Sequence, residues 1–339
     1  MTGRRILLYF AWSRPGETHA PIEDIDDRFP ALFELRRLCY PRFEEMADPD
    51  RYDQGIAGFL DHVQKPNFAG FAELAESLTG QPVTIVERAL DDGIATPLDD
   101  RLLAGFDTVI VISFDSFRTA QQASQGEIEA VQGFLADPDH LLCLSPHHDI
   151  GEAEGLEGEA RIERQTADFL HQGDKAIPPR QGFGGFARSL AAGLGVPVEN
   201  RFGLRPAITA DGAPAPIEAD PALDDLGLLA GVATFNLHPH LPQLERIGDS
   251  LTKMQVLARQ PIDPAAPPHP FTRGGRTSFD ALLQSAPETF AGRLLVSDTT
   301  LWSSTAGGVD SLRRFWSNVA ERSRRMCRTG CAQSLHSAM

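Results

Sequence analysis

Residues Thr108-Val109-Ile110-Val111-Ile112-Ser113 constrain this chain more than any other stretch, because five β-branched side chains follow one another without a polar break. Such a run favours an extended backbone. A strand with one wet face alternates apolar and polar residues. A run that is apolar throughout implies cover on both faces, as in a parallel sheet between helical layers. With residues 106–113 as one strand, similar short apolar runs at 6–11, 82–86, 141–144, 229–237 and 293–298 read as others. Between them helical periodicity appears at 29–46, 67–78, 128–135, 159–171, 183–194 and 311–325. Ser124-Gln125-Gly126-Glu127 precedes the third of these helices as a capping box, in which Ser and Glu satisfy each other's backbone N–H groups. The expected fold class is therefore α/β, with a doubly wound, mostly parallel sheet.

A chain of 339 residues can bury a substantial core. A single α/β domain is expected over 1–325, with a lid or insertion at about 203–227, where Pro, Ala, Asp and Gly concentrate, and a flexible tail at 326–339. The polar segment 13–27 after the first strand is long for a structureless loop, which points to a functional loop or a lid. A second Pro- and Gly-rich crossing occupies 261–275.

The net charge of −16 disfavours a nucleic-acid backbone or an anionic membrane surface as partner. The basic residues Arg313, Arg314, Arg322, Arg324, Arg325 and Arg328 are expected on the solvated face and C-terminal end of the closing helix, where cations suit the helix dipole. No apolar stretch approaches the ~20 residues that span a bilayer. Arg4-Arg5 before 6–10 imitates a signal peptide, but no small-residue cleavage site follows and a first core strand is the expectation. The four cysteines, dispersed except for Cys327 and Cys331, form no disulfide framework, which implies a cytoplasmic location. The expected partner is a small-molecule substrate, and oligomeric state is left open.

Two histidine groups carry the functional signal. His147-His148, followed by Asp149, closes the apolar run 140–146, and His238-Pro239-His240 closes 229–237. In open α/β sheets ligands bind outside the carboxyl ends of the strands, and imidazole is the commonest metal ligand and the usual acid/base group near neutral pH. On an extended backbone His238 and His240 share a face. His147, His148, His238 and His240 are therefore the candidate ligands of a divalent metal (zinc, iron or manganese). Asp149 and Glu152 are the candidate proton relays, and Glu17, His19 and Asp115 are possible additions from neighbouring loops. The plain alternative is a pair of strand-end turns whose imidazoles bond to backbone or solvent. Asp298 ends the last strand as a functional carboxylate or a helix cap, His269 between two prolines reads as a rigid loop contact, and Gly182-Phe183-Gly184-Gly185 reads as a turn.

The unit Ser124 to Leu135, then Leu141 to Pro146, resembles the class I glutamine amidotransferase-like superfamily, a flavodoxin-like fold. There a capped helix leads through a buried strand to a turn that carries the nucleophilic cysteine. Here the turn offers His147-His148-Asp149 instead. Gly231 to His240 is similar to that family's late strand ending in His-Pro-Glu, with His240 in place of the glutamate. The resemblance implies the fold but not the glutaminase activity. It leaves three functional expectations: a metal-dependent hydrolase acting on an amide or related small polar metabolite, a non-catalytic binding or accessory protein on the same fold, or an enzyme using Cys143. Cys143 lies inside its apolar strand, and burial makes a thiol inert rather than nucleophilic.

Overall fold

The computed structural model describes residues 3–13, 65–90, 93–113, 121–147, 153, 155–172, 185–238, 241–304 and 309–323. The strands are β1 (Ile6–Ser13), β2 (Thr84–Ala89), β3 (Thr108–Ser113), β4 (Leu141–Pro146), β5 (Val198–Leu204), β6 (Glu218–Ala219), β7 (Leu241–Arg246), β8 (Met254–Pro261), β9 (Ser278–Ser285) and β10 (Arg293–Ser297). The helices are α1 (Lys65–Thr79), α2 (Asp100–Leu103), α3 (Gln125–Phe134), α4 (Gly158–Gln172), α5 (Phe186–Gly193), α6 (Ser250–Lys253) and α7 (Val309–Glu321). The architecture is mixed α/β, built on an eight-stranded, mostly parallel sheet in the order β2-β1-β3-β4-β10-β9-β8-β6, with β5 and β7 as a separate antiparallel ribbon. The first five strands in that order run parallel, and β9, β8 and β6 extend the sheet by antiparallel pairing.

The β-branched run is covered on both faces. Ile110 and Ile112 of β3 point with Leu8, Phe10 and Cys143 into one core, against Phe68 and Phe71 of α1 and Phe315 and Trp316 of α7. Val109 and Val111 point with Leu7, Tyr9 and Leu144 into a second core, against Val131 of α3 and Phe186 and Leu190 of α5. Phe71 stands edge-on to both Trp302 and Trp316, with ring centroids 5.2 and 6.0 Å away. The β5–β7 ribbon contributes Val198 and Leu244 to the second core and Leu204 and Leu241 to the first, so it links the two layers.

Three expectations change. The segment 229–237 is not a strand: it turns at 229–231 and continues without regular pairing, so His238 precedes β7 and does not end a strand of the sheet. Its apolarity serves packing, since Leu229, Val232 and Phe235 are buried in the first core. Its backbone bonds to side chains instead of a ladder, with Ala233 N and Thr234 N donating to Ser311 Oγ at 3.1 and 2.9 Å. Arg322 is buried, not solvated. It donates to the carbonyls of Asp107 (2.6 Å) and Asp139 (3.2 Å), where β3 and β4 begin, and Arg4 bonds the Asp139 carboxylate at 2.7 Å. Burial pushes the Arg322 guanidinium down to about 9, and it stays a cation at neutral pH. Finally, the antiparallel strands β5, β7, β8 and β9 replace what reads from the sequence as connecting chain. The expected helix at 29–46 lies outside the described residues.

The capping box of α3 is present, with Ser124 N donating to Glu127 Oε2 at 2.9 Å. Glu127 is buried and also takes bonds from Arg88 of β2, whose guanidinium lies 4.3 Å above the Phe186 ring. Burial alone pushes the Glu127 carboxyl up, but the hydrogen bonds from Arg88 and Ser124 and the Arg88 charge outweigh it and hold the group below its ordinary value. Removing one member of such a pair leaves a buried charge uncompensated. Glu127→Gln should therefore cost about 3–5 kcal/mol at neutral pH, and Arg88→Met with Glu127→Leu should cost less. The folded-state value is depressed, so this stabilisation is complete above the ordinary carboxylate range and disappears as pH falls through the folded value. Urea midpoints measured from pH 7 down to pH 3 should show the gap between wild type and Glu127→Gln closing in acid. A gap that stays constant would refute the assignment.

Candidate functional site

The carboxyl edge of the parallel strands is the place to look for chemistry. Both faces of the central strands β1, β3, β4 and β10 are apolar, and their buried polar side chains gather at strand ends. At this edge stand Ser113 of β3, Ser145 of β4, and Ser297 and Asp298 at the end of β10, all buried. Ser145 and Ser297 face each other across neighbouring strands, with their hydroxyls 3.0 Å apart, and Trp302 Nε1 donates to both at 2.8 and 3.2 Å. Asp298 caps the 3-10 turn Thr299–Trp302, accepting from Thr300 N at 3.0 Å. This matches its reading as a cap.

His147 leaves β4 at this edge and is half-buried. Its N–H donates to Ser113 O at 3.1 Å, and its carbonyl accepts from the side-chain amide of Asn200 on β5. Asn200 is fully buried, and its Oδ1 accepts from Arg188 Nη1 at 3.1 Å. Arg188 stands in the first turn of α5, whose Ala187 N donates to Ser113 Oγ at 3.3 Å. The His147 backbone is thus fixed from β3 and, through Asn200, from β5 and α5.

His238 reaches the same edge by another route. Its N–H donates to Asn236 Oδ1 at 3.0 Å, and Asn236 Nδ2 donates to Thr300 Oγ1 at 3.2 Å, just beyond β10. The Asn236 carbonyl accepts from Gln260 Nε2 at 3.1 Å, near the end of β8, which runs in the same direction as β10. Asn236, like Asn200, is fully buried. The structure therefore brings His147 and His238 to one edge of the sheet. Among the described residues no three His, Cys, Asp or Glu side chains are grouped so as to hold a metal ion. Glu17, His19, Asp115, His148, Asp149, Glu152 and His240 lie outside the described residues.

Other features serve structure. His269 is buried, and its Nδ1 accepts from Phe271 N at 3.0 Å to cap the turn Pro270–Thr272, as a rigid loop contact should. Gly185 precedes α5 without a side-chain cap, and Gly182, Phe183 and Gly184 lie outside the described residues. At the ends of β1 and β2, Glu87 is buried and accepts from Trp12 Nε1 at 2.7 Å and Lys65 Nζ at 2.5 Å. Two contributors to the edge, Asn200 and Asn236, were not singled out from the sequence. Asn236 interrupts an apolar run and could have been noticed as a polar group needing buried partners. Asn200 carries no such signal. No protein-family model matches the chain, and no curated protein is similar to it.

Cys143 is buried in mid-strand, and burial pushes its thiol up to about 12 against the opposing pull of the Arg322 charge. A thiolate is the reactive form, so this position offers none at neutral pH. Alkylation at Cys143, mapped by mass spectrometry, should be negligible in native protein. It should rise with denaturant in step with global unfolding. Rapid stoichiometric labelling of the folded chain would contradict this.

Proposed function

We propose that this chain is a metal-dependent hydrolase acting on an amide or related small polar metabolite, with its site at the carboxyl edge beside β4 and β10. One observation carries the reading: His147 and His238, distant in sequence, stand at the same edge, each tied by its backbone to a fully buried asparagine. The parallel order β2-β1-β3-β4-β10 is the flavodoxin-like order and supports the amidotransferase-like fold. In this reading His147 and His238, with His148 and His240 adjacent in sequence, hold a divalent ion such as zinc, iron or manganese. Imidazole nitrogens suit zinc and iron, and an added carboxylate oxygen such as that of Asp149 would suit manganese. The ion would polarise a carbonyl and acidify bound water, and Asp149 and Glu152 would relay protons. The hydroxyls of Ser145 and Ser297 are committed to Trp302 and to each other, which leaves the imidazoles as the described groups suited to the chemistry.

A second reading, a binding or accessory protein without catalysis, is favoured by one fact: the thiol nearest the family's nucleophile position is buried and inert. Elemental analysis of protein purified without an affinity tag separates the two. The hydrolase reading expects close to one equivalent of a transition metal. It also expects His147→Ala and His238→Ala each to lower occupancy at least about tenfold while the protein stays folded. Full-length protein that holds no metal, and takes up none when offered zinc, manganese or ferrous iron, would overturn it.

A further inference from the structure

We infer that Asn200 and Asn236 are the positioning residues of this edge, each holding one candidate histidine in register by its backbone. The inference rests on the metal reading for its purpose, but not for its geometry. Each amide is fully buried, and both of its ends are used. Asn200 accepts from Arg188 and donates to the His147 carbonyl. Asn236 donates to the Thr300 hydroxyl and accepts from the His238 N–H. These residues therefore join the two histidine backbones to α5 and to the turn after β10, which are rigid elements of the fold. A ligand set held on fixed backbones needs less ordering when the ligand arrives. Groups one step behind the ligands commonly change metal affinity by about 10–100-fold when removed.

The two amides differ in a way that separates positioning from simple structural support. The partner of Asn200 Nδ2 is a carbonyl, which only accepts. In Asn200→Asp an acid oxygen would face the His147 carbonyl, while the carboxylate gains a better bond to Arg188. The fold should lose some stability, because the buried His147 carbonyl loses its donor, and the His147 backbone should shift. The partner of Asn236 Nδ2 is a hydroxyl, which both donates and accepts. In Asn236→Asp the Thr300 O–H can turn and donate, the other oxygen still accepts from His238 N–H, and the geometry should survive. Asn236→Ala removes both bonds.

The test is metal titration of the full-length variants, with zinc as probe, alongside thermal unfolding and NMR of the metal-free proteins. Expected are zinc affinity at least about tenfold weaker in Asn200→Asp and Asn236→Ala, and within about threefold of wild type in Asn236→Asp. Should Asn236→Ala fail to fold, Thr300→Val, which frees one end of the amide, is expected to weaken affinity in the same direction. In metal-free protein the His238 amide should resist hydrogen exchange in wild type and Asn236→Asp but not in Asn236→Ala. The His147 resonances should move in Asn200→Asp alone. If wild type binds no zinc, the metal reading fails while the exchange and resonance data still decide the positioning. Unaltered His147 and His238 signals in Asn200→Asp and Asn236→Ala would overturn the inference. So would a folded Asn236→Asp variant whose His238 amide exchanges as freely as that of Asn236→Ala.

Discussion

The central parallel strands β1, β3, β4 and β10 are apolar on both faces, and this dictates where polar groups can go. A polar side chain in the middle of β3 or β4 would lie in hydrocarbon on either face, at a cost of about 1–3 kcal/mol without a partner. The residues that fill those positions are Val109, Ile110, Val111, Leu142 and Cys143, all buried. Polar side chains are left to the strand ends. The molecule therefore has two polar edges separated by the length of a strand, and the two are built differently.

The amino edge is charged and closed. Arg4 and Arg322 bind the first carbonyls of β3 and β4 and the Asp139 carboxylate, and so tie the end of α7 to the sheet. Burial and the neighbouring Arg4 charge lower the proton affinity of Arg322, against the opposing pull of the Asp107 and Asp139 carboxylates. The carboxyl edge beside β4 and β10 relies on hydroxyls and amides: Ser113, Ser145, Ser297, Asn200 and Asn236. Neutral dipoles fix a backbone without adding a net charge to the site. Asp298 and Arg188 are charged groups at this edge, one capping the turn after β10 and the other holding the Asn200 amide. The charged pair Arg88 and Glu127 stands apart, at the end of β2, where it secures α3.

The sequence revealed the parallel core because its signals are local. The β-branched run of β3, the Ser124 capping box and the alternation of strand with helix each depend on neighbouring residues. The antiparallel half was not legible, because β8 and β9 have mixed burial patterns set by partners on other strands. The segment 229–237 misled for the same reason. Its apolar residues look like a strand but answer to α7 and the first core, and its backbone is satisfied by Ser311 and Gln260 across the fold. His147 was correctly placed at a strand exit. His238 reaches the same edge through a connection the sequence does not disclose.

That difference bears on how the two histidines can act together. His147 is one residue beyond a strand whose register is fixed by β3 and β10 on either side, so its Cα has little freedom. His238 follows the irregular stretch 231–237, and its N–H is held by the Asn236 side chain, which bridges to Thr300. Irregular segments open at lower free energy than central strands. Motion at this edge should therefore arise on the His238 side, with His147 as the fixed reference. A ligand that needs both imidazoles would adjust on the His238 side, within the limits that Asn236 sets, and leave β4 as it is.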